Sequence, residues 1–122
     1  MPRLLSAAPT FLVADVESTA LWYQQHLGFS LSFYPRERPF VFASIHRDGV
    51  EIMLLRQPEY RKPEIDRLGG VWDAYIRMEN IREFYDTVRQ NTPLKSELVK
   101  RPYGDWEFEI TDPNGYILVF GE

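Results

Sequence analysis

Gly49-Val50-Glu51-Ile52-Met53-Leu54 recurs near the far end of the chain as Gly115-Tyr116-Ile117-Leu118-Val119-Phe120, and this repetition decides the fold. Each copy is a glycine followed by a mostly apolar run of strand length, the pattern of a strand entered from a turn. Working outward, residues 40–46 reach the first copy across Arg47-Asp48-Gly49, where Asp-Gly supplies the positive backbone dihedral of a tight hairpin. Residues 106–111 reach the second across Asp112-Pro113-Asn114-Gly115. Further upstream, Phe29, Leu31 and Phe33 alternate with serines before Pro35-Arg36-Glu37-Arg38-Pro39 breaks the period, and 94–99 is the corresponding strand of the second half.

Each half also opens with a strand and a helix. Residues 10–14 form the first strand, Asp15 is placed to cap a helix with Ser18 in its first turn, and Val16, Ala20, Tyr23 and Leu27 follow at helical spacing to a stop at Gly28. In the second half, 71–78 is the strand; Glu79 or Asn80 caps a helix running to about Gln90, with Ile81, Phe84, Tyr85 and Val88 facing inward. Leu21-Trp22-Tyr23 in the first helix matches Glu83-Phe84-Tyr85 in the second. The expected fold class is therefore α+β: two βαβββ repeats forming a curved mixed sheet around a cleft. The expected organisation is a single domain over 1–122, with repeat one at about 8–56 and repeat two at about 70–122. A connection at about 57–69 carries Pro58 and Pro63, with a helical turn at 64–68 before Gly69-Gly70.

Composition excludes several classes of chemistry. At 122 residues, 44% hydrophobic and 26% charged, the chain suits one ordinary globular core. With no cysteine it has no disulfide, thiolate nucleophile, zinc-thiolate site or iron–sulfur cluster. A net charge of −4 with scattered basic residues argues against a nucleic-acid partner. No apolar run approaches the roughly 18 to 20 residues of a membrane span, so no membrane partner is expected. The N-terminus lacks the layout of a signal peptide, which gives the cytoplasm as the expected location. The unusual quantity is aromatic content, 15%, so ring clusters are the features to follow.

Phe11-Leu12-Val13-Ala14-Asp15-Val16 running into Trp22-Tyr23 and Leu27-Gly28-Phe29, together with Thr111-Asp112-Pro113-Asn114-Gly115-Tyr116, resembles the vicinal-oxygen-chelate superfamily over nearly the whole chain. That superfamily includes glyoxalase I, extradiol dioxygenases, and fosfomycin- and bleomycin-resistance proteins. The resemblance implies that metal-dependent members take ligands from the first and last strands of each repeat. The corresponding positions here are Ala8, Met53, Asp73 and Val119, of which only Asp73 suits a hard divalent cation. His26 at a helix end and His46 before a hairpin turn read as structural. No catalytic residue, metal or cofactor is expected. Pro102-Tyr103-Gly104-Asp105-Trp106-Glu107-Phe108 followed by Asp112-Pro113-Asn114-Gly115 most resembles the bleomycin-resistance proteins. Those are dimers that sequester a cationic, planar-ringed antibiotic in crevices at the subunit interface without altering it.

The resemblance thus implies a homodimer whose partner is a small molecule, a cationic antibiotic among the candidates. Such a ligand needs ring faces for stacking and carboxylates for its charge. Tyr34, Phe40 and Phe42 flank the proline-rich turn; Tyr75 shares a strand face with Asp73; Tyr103 and Trp106 lie in the signature stretch. By the same alternation Trp72 falls with Ile76 and Met78 and is expected beneath the helix. Glu51, Asp73, Asp105 and Glu107 supply the candidate negative field, and Met53 an adaptable apolar floor. Trp106 and Glu107 occupy opposite faces of one strand, so only one of them lines the cleft. Two other readings stay open: an enzyme of the same fold working through a relocated metal or through Asp73 or Glu51, and a binder of an ordinary metabolite.

Overall fold

The computed structural model describes residues 1–63 and 71–122; the helical turn expected at 64–68 and the Gly69-Gly70 pair lie outside them. The chain divides into two compact units, Met1–Tyr60 and Arg61–Glu122, and the boundary falls inside the expected connection. Each unit is a four-stranded mixed sheet with one helix, in βαβββ order, so the architecture is α+β with two sheets.

The first unit contains β1 (Thr10–Val13), α1 (Val16–Leu27), β2 (Ser30–Tyr34), β3 (Phe42–Arg47) and β4 (Val50–Arg56). The sheet runs β1-β4-β3-β2, with β1 parallel to β4 and the other pairs antiparallel. Asp15 starts α1 as its sequence position requires: its backbone is extended and its carboxylate accepts the amides of Glu17 at 3.0 Å and Ser18 at 3.3 Å. Gly28 ends the helix at φ 70, a left-handed conformation that glycine adopts without a Cβ penalty. Val16, Ala20, Tyr23 and Leu27 are buried together with Ala43, Ile45, Ile52 and Leu54 of the sheet. At the β3–β4 hairpin the positive dihedral falls on Asp48, φ 52.

The second unit contains β5 (Ala74–Arg77), α2 (Ile81–Val88), β6 (Leu94–Lys100), β7 (Trp106–Thr111) and β8 (Ile117–Gly121), in sheet order β5-β8-β7-β6. Its core is aromatic: Phe84 and Tyr85 of α2 contact Phe108, and Phe84 also contacts Phe120, at centroid distances of 5.1 to 6.0 Å. Asp112 fixes the turn before β8 by accepting the amides of Asn114 and Tyr116. The repeat holds in register as well as order, since Met53 pairs with Thr10 of β1 and Val119 with Tyr75 of β5.

Three local expectations need correction. Strand β5 spans Ala74–Arg77 and not 71–78, so alternation cannot be extended back to position 72; Trp72 is 45% exposed beside Tyr75 and does not pack under the helix. Helix α2 stops at Val88 and not near Gln90, because the amides of Asn91 and Thr92 both turn back to the Val88 carbonyl and close the last turn. Of the two expected cap positions Asn80, not Glu79, is the N-cap residue of α2, but its side chain does not make the cap bond. Asn80 sits in the left-handed region at φ 60 without a side-chain cap bond, and the Glu122 carboxylate accepts the amides of Asn80 and Ile81 at 3.2 and 2.9 Å. Among the described residues, no helix is long and apolar enough to cross a membrane.

Candidate functional site

In each unit the helix covers one sheet face, and pleat alternation sends the other half of the strand side chains to a face without a helix. On the first unit this open face is ordered in rows by strand register. Tyr34, Phe42, Leu55 and Leu12 are cross-strand partners and form an apolar row. Ser32, Ser44, Met53 and Thr10 form the next, followed by Ser30, His46 and Glu51. Of the expected ligand contacts, Tyr34, Phe42, Glu51 and Met53 therefore share one surface. The Glu51 carboxylate accepts the Ser44 hydroxyl and, among the described residues, has no ion-pair partner.

Phe40 does not join them. Its ring stacks on Phe33 at 4.3 Å, on the side of the sheet that carries α1. There it lines a cavity of about 510 Å³ together with Val16, Glu17, Arg38, Pro39 and Arg56. Arg38 and Glu17 pair across this cavity's rim, the hydrogen bond holding Glu17 below its ordinary value.

On the second unit, Tyr75, Tyr103 and Glu107 converge. Glu107 is only 2% exposed, and its carboxylate accepts the hydroxyls of Tyr75 at 2.6 Å and Tyr103 at 2.7 Å and the Arg101 guanidinium at 3.3 Å. Burial pushes the Glu107 carboxyl up, but the three donors together outweigh it and hold the group below its ordinary value. The same contacts act oppositely on the phenols. Tyr75 is raised by burial and then by Glu107, and Tyr103 is raised chiefly by its hydrogen bond to Glu107. Asp105 accepts from Tyr75 and Arg77 at 3.3 Å, and Arg101 reaches Glu109 at 3.5 Å. Trp106 is on the opposite face, where the Arg82 guanidinium of α2 lies 5.6 Å from its ring, so Glu107 is the member of that pair on the open face. Asp73 is occupied structurally: it accepts the Ile117 amide at 2.8 Å and pairs with Lys62 at 3.2 Å.

Two contributors escaped the sequence reading. A Cβ on Gly121 would stand 2.0 Å from the Tyr75 hydroxyl oxygen, so the missing side chain is what lets Tyr75 lie across β8 to reach Glu107 on β7. A glycine closing an apolar strand is the signal that could have shown it. Arg101 looked like one of many scattered basic residues, and nothing in its spacing marks it as the partner of Glu107.

Residues 6–120 match the sequence profile of the Glyoxalase/Bleomycin resistance protein/Dioxygenase superfamily. The chain belongs to this superfamily. No curated protein sequence matches it. Solved structures share the fold at low identity. A glyoxalase-related enzyme from Clostridium phytofermentans is 18% identical, with 99% of this chain and 96% of that one covered and a TM-score of 0.79. The bleomycin-binding protein of Streptomyces verticillus, solved with copper(II)-bleomycin, is 19% identical over 98% and 97% of the two chains, TM-score 0.72. TioX from Micromonospora sp. ML1 is 16% identical over 96% and 98%, TM-score 0.74.

The positions that correspond to the superfamily's metal ligands are Ala8, Met53, Asp73 and Val119. Val119 is an aliphatic side chain 1% exposed, Met53 offers only a thioether, Ala8 offers nothing, and Asp73 is engaged by Lys62 and the Ile117 amide. Among the described residues no three His, Asp or Glu side chains come together as a ligand set. This donor set does not fit a divalent-cation centre.

Proposed function

We propose that the chain binds a cationic aromatic small molecule reversibly, in the manner of bleomycin-resistance proteins, without a metal and without chemical change to the ligand. The observation that carries this reading is Glu51, a half-buried carboxylate with a neutral hydroxyl as its partner, set on a surface that also bears Tyr34, Phe42 and Met53. A ligand cation would supply this carboxylate with the counter-charge that the described residues do not. Glu107 plays a different part, since Arg101 and two phenols already satisfy it. The superfamily membership and the fold shared with a bleomycin-binding protein support the same reading.

The reading includes a homodimer in which a second copy helps enclose the ligand. Calorimetric titration of the purified protein with metal-free bleomycin tests the binding: saturable heat is expected, weakened about tenfold in Glu51→Gln by loss of one charged contact. A titration without heat, or protein that purifies with near-stoichiometric zinc, nickel, iron or manganese, contradicts it. Light scattering that gave a monomer mass at ligand saturation would remove the dimer.

A further inference from the structure

Of the strands that end the two sheets, β1, β5 and β6 carry features that keep an edge from pairing with another chain. β1 and β5 are four residues long, β1 follows Pro9, and β5 ends on the charged Arg77. β6 bears Lys95, Glu97 and Lys100, and its register with β7 shifts between Leu94 and Ser96 and again between Ser96 and Val99. β2 has none of these. Ser30-Leu31-Ser32-Phe33-Tyr34 carries no charge and no proline, and every residue holds an unbroken register with β3. Among the described residues its backbone bonds run to β3 and to Val41 just before it, and none reaches its outer edge. About half of the amides and carbonyls of an edge strand point outward, so β2 offers a bare row of donors and acceptors.

The strand is also complementary to itself. About a two-fold axis through Ser32, an antiparallel copy sets Ser32 against Ser32, Ser30 against Tyr34 and Leu31 against Phe33, and each pair joins residues of the same sheet face. Leu31 and Phe33 stand on the α1 side beside their buried partners Ile45 and Ala43, yet both are only half-buried. A second copy completes their burial, with Leu31 of each chain against Phe33 of the other. β6 lacks this match, because an axis at its centre would oppose Glu97 to Glu97. From this edge we infer that the chain dimerises by antiparallel pairing of β2 with β2 across Ser32, which joins the two first-unit sheets into one with both open faces on the same side. The pairing rests on the homodimer of the proposed function and gives that dimer its interface. Tyr34, 66% exposed in the single chain, then stands beside Ser30 of the second copy, so the apolar row of one open face runs into the Ser30, His46 and Glu51 row of the other.

Ser32 is exposed and the chain has no cysteine, so Ser32→Cys gives one thiol per chain and any disulfide joins two chains. Directly opposed Cα atoms of an antiparallel pair are about 4.5 to 5.5 Å apart, within the span of a disulfide. Under mild oxidation Ser32→Cys is expected to form covalent dimer about tenfold faster than Ser30→Cys, whose own copy lies about 13 Å away along the strands. In light scattering the parent is expected at the dimer mass. Ser32→Lys and Ser32→Glu should each weaken that dimer about fivefold, and mixing the two should restore it as a heterodimer, because residue 32 faces itself only in this register. Equal crosslinking at 30 and 32, or a dimer indifferent to both charges, overturns the β2 interface and leaves the homodimer standing. A monomeric parent removes the interface and the homodimer together, while saturable bleomycin heat from that monomer would leave the ligand reading intact.

Discussion

Gly121→Ala tests the second unit's network through a single methyl group. The backbone of Gly121 lies outside the left-handed region, so alanine is compatible with the strand and only the neighbours object. The added Cβ would stand 2.0 Å from the Tyr75 hydroxyl oxygen, 2.6 Å from Cζ and 3.0 Å from Cε1, which forces the whole ring aside. Tyr75 then loses its 2.6 Å bond to the Glu107 carboxylate, worth about 1.5 to 3 kcal/mol for a charged acceptor. Against that, replacing glycine by alanine restricts the unfolded chain and returns about 0.4 to 1 kcal/mol. A net loss of about 1.5 kcal/mol is expected in urea unfolding followed by circular dichroism. In a Tyr75→Ala background the methyl has room, and Gly121→Ala should be neutral or slightly stabilising. Equal costs in both backgrounds, or no cost in the parent, would refute the claim that Gly121 exists to pass Tyr75 across β8. Tyr75→Phe is an instructive control, since the hydroxyl bond to Glu107 is already gone and only the clash with the ring carbons remains, so the cost of Gly121→Ala should shrink without vanishing.

The remaining predictions concern pH and helix ends. The Glu107 carboxyl is held below 4.5, so its stabilisation is complete above that pH and is lost as pH falls through its lower folded value. Parent and Tyr75→Phe stabilities, well separated at neutral pH, should therefore converge in acid; a gap that stays constant would contradict the assignment. The Tyr75 and Tyr103 phenols are held above 10, so their contribution is whole below that pH and should drain away as pH rises past it, read by urea midpoints in alkaline buffer. Asp15→Ala should cost about 1 kcal/mol through the lost α1 cap, again by urea unfolding. Glu122→Ala should cost about the same at α2, whereas Asn80→Gly should be nearly neutral, because Asn80 contributes a left-handed backbone and no cap bond.

Much of this fold was legible because its signals are local. Asp15 and Gly28 bracket α1 by the chemistry of helix ends, and the Gly49 and Gly115 repeats locate equivalent strands whose register partners, Thr10 and Tyr75, correspond. Tyr34, Phe42, Glu51 and Met53, named separately from the sequence, share one sheet face because all lie inside or at the end of regular strands. Alternation failed at Trp72, where the chain has not yet entered β5, and Phe40, named beside the proline-rich turn, precedes β3 and turns to stack on Phe33. The contacts that hold Glu107 were illegible for another reason. Arg101, Tyr103 and Tyr75 come to it from separate segments, and Gly121 acts by the side chain it lacks. Capping of α2 by Glu122 is equally non-local, since its partners lie some forty positions away.

The central claim is that the first unit's open face, with Glu51 at its charged end, is where a cationic aromatic ligand binds. Backbone amide chemical shifts of isotopically labelled protein during a bleomycin titration test this most directly. Saturable shifts are expected at Ser32, Phe42, Ser44, Glu51 and Met53, with the Glu51 and Ser44 responses lost in Glu51→Gln. Shifts confined to the cavity around Phe40 and Arg38, or to the surroundings of Trp106, would contradict it.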